Sequence, residues 1–293
     1  MSDEELAEST RGMIAGWDGS GERRKQPSLG RQVNLSLLRF PDTAQAETAL
    51  HRLADRQSEN LPGDSVQLPK FPQARAKWSV SKKYLDAWLT HDAMALYVHV
   101  EDPLSEPAEL APLIDFAQKY FQKQIEMLAS YTPTPVDQLG SLPLDVDGIL
   151  SRTLPLEEKD RIRKDYDNSM VLPVRAALHF ENLPGLTKAA FDDAGVDFVS
   201  FSSARLFRAR DADSATRLLA AFADQDSDGY RKIDSPPNMP GARCFDNKDT
   251  KSTSARYPPV CYFAYDRYVA RVTGHNLQEL YQRTAAQYKL LVH

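Results

Sequence analysis

The sequence predicts an α+β protein built from two similar β-α-β-β-α units, with antiparallel or mixed sheets and packed helices. The first observation is a repeated motif, because residues 37–42 read LLRFPD and residues 206–211 read LFRARD. The second is that a helical run rich in Ala and Leu follows each copy, and a predicted hairpin follows each run. Similarity at a fixed offset, here 169 positions, indicates a duplicated structural unit.

Composition divides the chain into four parts. Between the two units lies a stretch with closely spaced prolines, which remove hydrogen-bond donors and fix φ. Before the first unit, Gly, Ser, Pro and charged residues from 16 to 30 predict a loop. The predicted parts are an N-terminal segment 1–30, a first unit 31–131, a Pro-rich connector with a short helix 132–195, and a second unit 196–293.

The elements of the first unit follow from periodicity and capping. Residues 33–40 begin with alternating apolar and polar side chains, which is typical of a strand. Asp42 or Thr43 can cap the next helix, because a short side-chain oxygen accepts an unpaired backbone N–H. Residues 84–88 and 93–100 predict a hairpin, and a helix with one apolar face closes the unit.

The second unit repeats this order and also matches the first in its loops. The loop segment 72–76 reads PQARA, and residues 240–244 read PGARC. The predicted hairpin turns correspond as well, because both contain an aspartate preceded by His91 or Tyr265. The predicted elements of the second unit are a strand at 199–207, a helix at 211–224, a hairpin at 260–263 and 268–272, and a closing helix at 277–292.

The two cysteines, Cys244 and Cys261, lie on neighbouring extended segments of the predicted second unit. Adjacent strands bring Cα atoms within the distance that a disulfide requires. At the offsets of the repeat these positions correspond to Ala76 and Ala87, as expected for a bridge present in one copy only. We therefore predict a disulfide, which favours an extracytoplasmic location. The alternative is two unrelated buried thiols in a cytoplasmic protein.

Composition and charge predict neither a nucleic-acid partner nor a membrane-spanning segment. Apolar residues make up 42% and charged residues 26% of the 293 residues, as in an ordinary soluble globular protein. A net charge of −5 provides no basic field for nucleic acid, so no nucleic-acid partner is expected. No run of 18 apolar residues predicts a transmembrane segment, and the acidic start lacks the apolar core of a signal peptide.

Six stretches, spread over nearly the whole chain, carry a family resemblance: VNLSLLRFPD (33–42), TPTP (132–135), DVDGILSRTLP (145–155), AGVD (194–197), DRYVA (266–270) and AQYKLL (286–291). Together they resemble a family of uncharacterised actinobacterial envelope lipoproteins of the mycobacterial and nocardial type. The resemblance implies a place in the cell envelope and a lipid anchor in a longer form, because members carry a lipobox cysteine after a signal peptide. It implies no activity and no functional residues.

The sequence offers one candidate metal site. Asp224, Asp226 and Asp228 match the oxygen ligands at positions 1, 3 and 5 of a calcium loop. Position 12 is Ser235 instead of the usual bidentate Glu, and two prolines follow it. The competing interpretation is a helix end that continues into an acidic, solvated loop. Calcium is the one cofactor that the sequence suggests.

No motif typical of catalysis is present, and the histidines form no ligand-spaced cluster. We therefore expect an uncharacterised, non-enzymatic envelope protein that binds a small molecule, a lipid or another envelope protein. A groove between the two units is the expected site. One alternative is a hydrolase-type enzyme that uses carboxylates near Asp145 and Asp147, with Arg152 beside them. The other is a structural or assembly module with a large apolar patch and no pocket.

Overall fold

The computed structural model of the protein describes residues 7–26, 29–60, 63–160, 168–225, 230–248 and 258–292. Contacts between Cα atoms divide the chain into unit 1, Met1–Gly140, and unit 2, Ser141–His293. Each unit contains an antiparallel sheet and α-helices, so the predicted α+β class is confirmed.

Unit 1 forms a sheet in the order β1-β2-β6-β5-β4-β3, and every neighbouring pair is antiparallel. A helix follows β2 and a second helix follows β6. The elements are β1 (Ala15–Gln26), β2 (Leu29–Arg39), α1 (Thr43–Asn60), β3 (Asp64–Ser65), β4 (Arg75–Ser79), β5 (Tyr84–His91), β6 (Met94–Glu101) and α2 (Ala111–Leu128).

Unit 2 forms a sheet in the order β10-β11-β12-β13-β9-β8-β7, again antiparallel throughout. Within the described ranges, no helix of either unit has the length and apolar character needed to cross a membrane. The elements are β7 (Met170–Pro173), α3 (Val174–Ala177), α4 (Pro184–Ala194), β8 (Phe198–Phe201), β9 (Ala204–Arg208), α5 (Ala212–Gln225), β10 (Tyr230–Ile233), β11 (Arg243–Asn247), β12 (Val260–Tyr265), β13 (Tyr268–Thr273) and α6 (Leu277–Val292).

Six strands follow the same order in both sheets, because β1 to β6 of unit 1 correspond in turn to β8 to β13 of unit 2, and unit 2 adds β7 at one edge. Their registers also agree. Ala76 lies opposite Ala87, and Cys244 lies opposite Cys261. The Cys244–Cys261 disulfide is present. The duplication therefore extends from the order of elements to individual cross-strand pairs.

Matching caps and turns support the duplication. Asp42 Oδ1 accepts a hydrogen bond from Gln45 N (2.8 Å) before α1, and Asp211 Oδ1 accepts one from Ser214 N (2.7 Å) before α5. Each carboxylate satisfies an N–H that has no partner within its helix. Both hairpins turn at an aspartate with positive φ, a conformation that Asp tolerates better than most residues.

A helix packs against each face of each sheet. Successive side chains along a strand point to opposite faces, so both faces present residues to a covering helix. In unit 1, Leu85 and Leu96 are buried in the cluster that contains Leu113 and Phe121 of α2. Trp88 lies on the opposite face, in the cluster that α1 covers. In unit 2, α6 covers the face that holds the disulfide, and α5 covers the face of Phe207 and Tyr262.

The structure has more strands than the predicted β-α-β-β-α order. Residues 16–30 were expected to form a loop, but Ala15–Gln26 is the edge strand β1. Glycines and charges are compatible with this strand because an edge strand needs a hydrogen-bonding partner on one side only. The predicted strand 199–207 is instead the hairpin of β8 and β9. Two further strands precede the predicted hairpin of each unit: β3 and β4 in unit 1, and β10 and β11 in unit 2.

A polar cluster interrupts the α1-facing side of the unit 1 sheet. Asp86 is 1% exposed, and its Oδ1 lies 2.7 Å from the Tyr97 hydroxyl and 2.8 Å from His99 Nδ1. The corresponding cross-strand pair of unit 2 is Val260 opposite Thr273. Burial alone lowers the pKa of His99, but the hydrogen bond and charge of Asp86, together with Glu101, raise it overall.

We predict that the stability of unit 1 falls as the pH rises through the folded-state pKa of His99. Because that pKa lies above the ordinary value of 6.5, the contribution is fully present below pH 6.5 and is lost on deprotonation. Urea denaturation at several pH values, followed by tryptophan fluorescence, measures this. The signal reports unit 1, since it contains all three tryptophans: Trp17, Trp78 and Trp88.

The matched control is the double substitution Asp86→Val and His99→Thr, which installs the pair that unit 2 carries. Replacing a buried ionic pair by uncharged residues that pack well is often neutral or stabilising, and the Val260 and Thr273 pair shows that such residues fit this place in the sheet. We expect the double variant to fold and to lose the dependence on pH above 6.5. The same pH dependence in the variant and the native protein would contradict the prediction.

Candidate functional site

A groove lies at the same place in each unit, where β2 of unit 1 or β9 of unit 2 ends beside the turn of the following hairpin, β5–β6 or β12–β13. The polar groove of unit 2 has a volume of about 530 Å³, and its lining includes Asp147, Arg152, Arg208, Asp266, Arg267 and Tyr268. The apolar groove of unit 1 has a volume of about 210 Å³, and its lining includes Ala15, Trp17, Leu37, Arg39, Met94 and Leu128.

Sheet register places an arginine in both grooves. Arg39 ends β2 opposite Met94, and Arg208 ends β9 opposite Tyr268. The next residue donates its N–H to the hairpin turn in both units, from Phe40 to Ala93 O and from Ala209 to Arg267 O, each at 2.8 Å. The two arginines are therefore equivalent positions of the duplication.

In unit 2 this arginine is neutralised from within the protein. Arg208 Nε and Nη2 donate to the two oxygens of Asp197, and Nη1 donates to Asp147 Oδ2, all at 2.8 Å. The side chain is buried, and its guanidinium carbon lies 5.0 Å from the centre of the Phe198 ring. Paired N–H donors and an aromatic face are the preferred surroundings of a guanidinium.

These contacts shift the pKa values of the ion pair. Burial opposes ionisation of Asp197, but the hydrogen bonds and charge of Arg208 outweigh it, so the pKa of Asp197 is lowered. The hydrogen bond to Asp197 is the main reason that the pKa of Arg208 is raised. Both groups are therefore charged at neutral pH, and the pair is a fixed part of the groove wall.

Two further guanidinium groups line the polar groove. Arg152 Nη1 donates to the carbonyl oxygens of Gly148 (2.9 Å) and Asp147 (3.4 Å). Arg267 has a buried Nε with no hydrogen-bond partner among the described residues. Outside the Arg208 network the described lining contains one further carboxylate, that of the exposed Asp266, and the charge of Arg267 also helps to lower the pKa of Asp197.

In unit 1 the equivalent arginine has different surroundings. Arg39 Nη1 donates to Thr134 O at 2.8 Å, and no carboxylate of the described residues lies within 4.0 Å of its nitrogens. Leu37 and Met94 are its neighbours in the lining, and Arg39 is the charged residue among them. The apolar groove therefore carries a cation that the described part of the protein does not neutralise.

The residues predicted from sequence fall in different places. Asp147 and Arg152 line the polar groove, whereas Asp145 accepts hydrogen bonds from the N–H groups of Leu150 (2.7 Å) and Ser151 (3.0 Å) and holds a turn. Cys244 and Cys261 form the buried disulfide.

The calcium prediction concerns Asp224, Asp226 and Asp228. Asp224 lies in the last turn of α5, whereas Asp226 and Asp228 lie outside the described residues. Within the described ranges, no three His, Cys, Asp or Glu side chains converge as metal ligands. The calcium site therefore stays a prediction.

Sequence reasoning did not identify Arg39, Arg208 or Arg267 as site residues. A signal for the first two was available, because both belong to the repeated motif and occupy the same position in it. A charged residue kept at a strand end in both copies is informative when the residues around it differ. Arg267 gave no comparable signal, since charged residues are common in hairpin turns.

We predict that Asp197→Asn lowers the free energy of unfolding of unit 2 by about 1.5–3 kcal/mol, because it weakens a charged pair on the buried Arg208. The control is Asp193→Asn, which removes the partner of Arg217 from an exposed pair and should lower the free energy of unfolding clearly less. Chemical denaturation followed by circular dichroism measures both. Equal losses in the two variants would contradict a special role for the Arg208 pair.

Comparison with known proteins identifies a family for the chain and indicates no activity. No curated protein and no solved structure matches it. Two family models do match, the N-terminal domain of unknown function DUF7373 over residues 2–144 and its C-terminal counterpart over residues 149–293. Their boundary lies close to the division between the two compact units, after Gly140. Because the two matches together cover nearly the whole chain, the protein belongs to the DUF7373 family.

Proposed function

We propose that the protein is a non-enzymatic, extracytoplasmic binding protein of the cell envelope, and that its polar groove binds a small molecule bearing a phosphate or carboxylate group. Arg267 is the observation that carries this proposal, because it lines the groove and its Nε is buried without a hydrogen-bond partner among the described residues. A buried donor without a partner costs free energy that an oxyanion would recover. A guanidinium fits such oxygens with paired N–H groups.

The guanidinium groups of the groove support an anionic ligand. Asp197 and Asp147 both bind Arg208, whereas Arg152 donates to two backbone carbonyl oxygens. Among the described residues the groove has no net charge, because three arginines are balanced by three carboxylates: Asp147, Asp197 and Asp266. An anion would therefore be attracted by individual guanidinium N–H groups and not by a net positive field.

Two tyrosines extend the groove beyond its cations. Tyr265 and Tyr268 belong to the lining, and the Tyr265 ring is held edge-on against Tyr288, with centroids 5.8 Å apart. Tyrosine offers a flat apolar face and a hydroxyl group at its edge. A phosphate or carboxylate attached to a ring would use both the guanidinium groups and these faces.

The hydrogen bonds that Asp145 and Asp147 already make favour binding over hydrolysis. Acid and base catalysis by two carboxylates needs both groups free to exchange protons with a substrate. Asp145 is occupied by two backbone N–H groups, and Asp147 is bound to Arg208. A groove in which Asp145 and Asp147 are already hydrogen-bonded fits the binding of an anion better than acid and base catalysis by a carboxylate pair.

The location in the envelope has two supports. The Cys244–Cys261 disulfide suits an oxidising compartment. The resemblance to actinobacterial envelope lipoproteins points the same way and adds a lipid anchor in a longer form as part of the proposal.

The test is titration of the native chain with phenyl phosphate, followed by calorimetry and by the NMR signals of arginine Nε–H groups. We expect a saturable shift of the Arg267 signal and a loss of affinity of about tenfold or more in Arg267→Gln, since one charged hydrogen-bonding partner is removed. The control is Arg243→Gln, which removes an exposed arginine of the same unit. Arg243→Gln should bind as the native protein does.

Two results would contradict the proposal. One is the absence of saturable binding by the native protein at millimolar phenyl phosphate. The other is an equal loss of affinity in Arg267→Gln and Arg243→Gln, because it would show a response to total charge and not to the groove.

A further inference from the structure

The duplication places the same arginine in two environments, and the difference identifies a second site. Arg208 in unit 2 has two carboxylate partners and an aromatic ring beneath it. Arg39 in unit 1 has a carbonyl partner and an apolar groove beside it. The residues that differ can be named from the strand register.

The counterpart of Asp197 in unit 1 is an isoleucine. Asp197 N donates to Arg208 O (3.3 Å), and Ile14 N donates to Arg39 O (2.8 Å). The two bonds are equivalent, because each joins the residue before β1 or β8 to the last residue of β2 or β9. Ile14 therefore occupies in unit 1 the backbone position from which Asp197 neutralises its arginine in unit 2.

The counterpart of Phe198 in unit 1 is an alanine. Ala15 is paired with Arg39, and Phe198 precedes Val199, which is paired with Phe207, so Phe198 takes the corresponding place beside Arg208. The phenyl ring that supports Arg208 has no equivalent on Ala15. Ala15 instead lines the apolar groove, next to Leu37 and Arg39.

The size of the groove suits a small organic anion. Its 210 Å³ corresponds to roughly seven water molecules at about 30 Å³ each. Apart from Arg39, the lining is aliphatic and aromatic, with Trp17, Met94 and Leu128 among its members. An inorganic anion would leave this surface unused, and an uncharged apolar molecule would leave the guanidinium without an anionic partner.

We propose that the apolar groove of unit 1 binds a carboxylate with an apolar body, and that this carboxylate pairs with Arg39 as Asp197 pairs with Arg208. Unit 2 provides the template, because its own carboxylate approaches the equivalent guanidinium with both oxygens at 2.8 Å. The apolar body lies along Leu37 and Met94 and leaves water, which favours binding. The site and the unit differ from those of the polar groove, and the ligand proposed here is distinguished by its apolar body.

The experiment titrates the full chain with octanoate and with 1-octanol, a neutral molecule with the same chain length. Tryptophan fluorescence reports binding because Trp17 lines the groove, and calorimetry confirms it. We expect octanoate to bind about tenfold or more tightly than 1-octanol, as a charged hydrogen-bonded pair predicts. Similar affinity for the two molecules would overturn the proposal, as would the absence of saturable octanoate binding.

Two substitutions at the arginine provide the specific test. Ile14→Asp installs the carboxylate that unit 2 has at the equivalent position, and Arg39→Met removes the cation. Both should weaken octanoate binding by about tenfold or more and leave 1-octanol binding within about twofold. The control is Arg52→Met, an exposed arginine of α1, which should bind octanoate normally.

Arg39→Met keeps the proposal testable if Ile14→Asp fails to fold, which circular dichroism would show. Normal octanoate binding by Arg39→Met would overturn the proposal. Octanoate binding must also persist in Arg267→Gln, which alters the polar groove only. Loss of octanoate binding in Arg267→Gln would assign the binding to the polar groove and would contradict a site at Arg39.

Discussion

The pairing of β2 with β6, repeated as β9 with β13, is the constraint on which the rest of the structure depends. These strands are distant in sequence, and a helix and three strands lie between them. Their register decides which residues face each covering helix. A slip of one residue would turn Arg39 away from its groove and bring Leu38 into it, because side chains alternate between faces. The strand ends, the hairpin turns and both grooves are positioned by this pairing.

The two units keep this backbone and differ in pairs of facing side chains. The disulfide-bonded Cys244 and Cys261 replace two alanines, and the buried Asp86 and His99 take the place of Val260 and Thr273. In each case both partners across the strands change together. This follows from the physics of a sheet, because one member of a buried pair cannot lose its partner without leaving a cavity or an unpaired polar group.

Both units have an arginine at the strand end, and its surroundings also differ between them. Unit 2 satisfies Arg208 with its own carboxylates, so the guanidinium groups left for the proposed ligand are those of Arg152 and Arg267. Unit 1 leaves Arg39 beside apolar side chains. One scaffold thus supplies a polar groove and an apolar groove, and the proposed ligands differ accordingly. A protein with both grooves would recognise two chemical groups with a single duplicated framework.

Sequence alone predicted the elements whose signals are local. The Asp42 cap, the hairpins turning at Asp92 and Asp266, and the disulfide all follow from residue type and the repeat. The strand β1 was missed because its glycines and charges resemble a loop, and its partner β2 is what makes it a strand. The grooves were missed because they combine strand ends, turns and a helix end that lie far apart in sequence. The equivalence of Asp197 and Ile14 can be recognised only when the strand register is known.

The claim that both units share one backbone register can be tested by Ala76→Cys with Ala87→Cys, which adds to unit 1 the counterpart of the unit 2 disulfide. Non-reducing peptide mapping should find a 76–87 bridge beside the native one, because facing residues of neighbouring strands can meet the geometry of a disulfide. The off-register control combines Ala76→Cys with Leu85→Cys, since Leu85 lies opposite Trp78. A bridge in the control and none between positions 76 and 87 would contradict the shared register and, with it, the equivalence of Arg39 and Arg208.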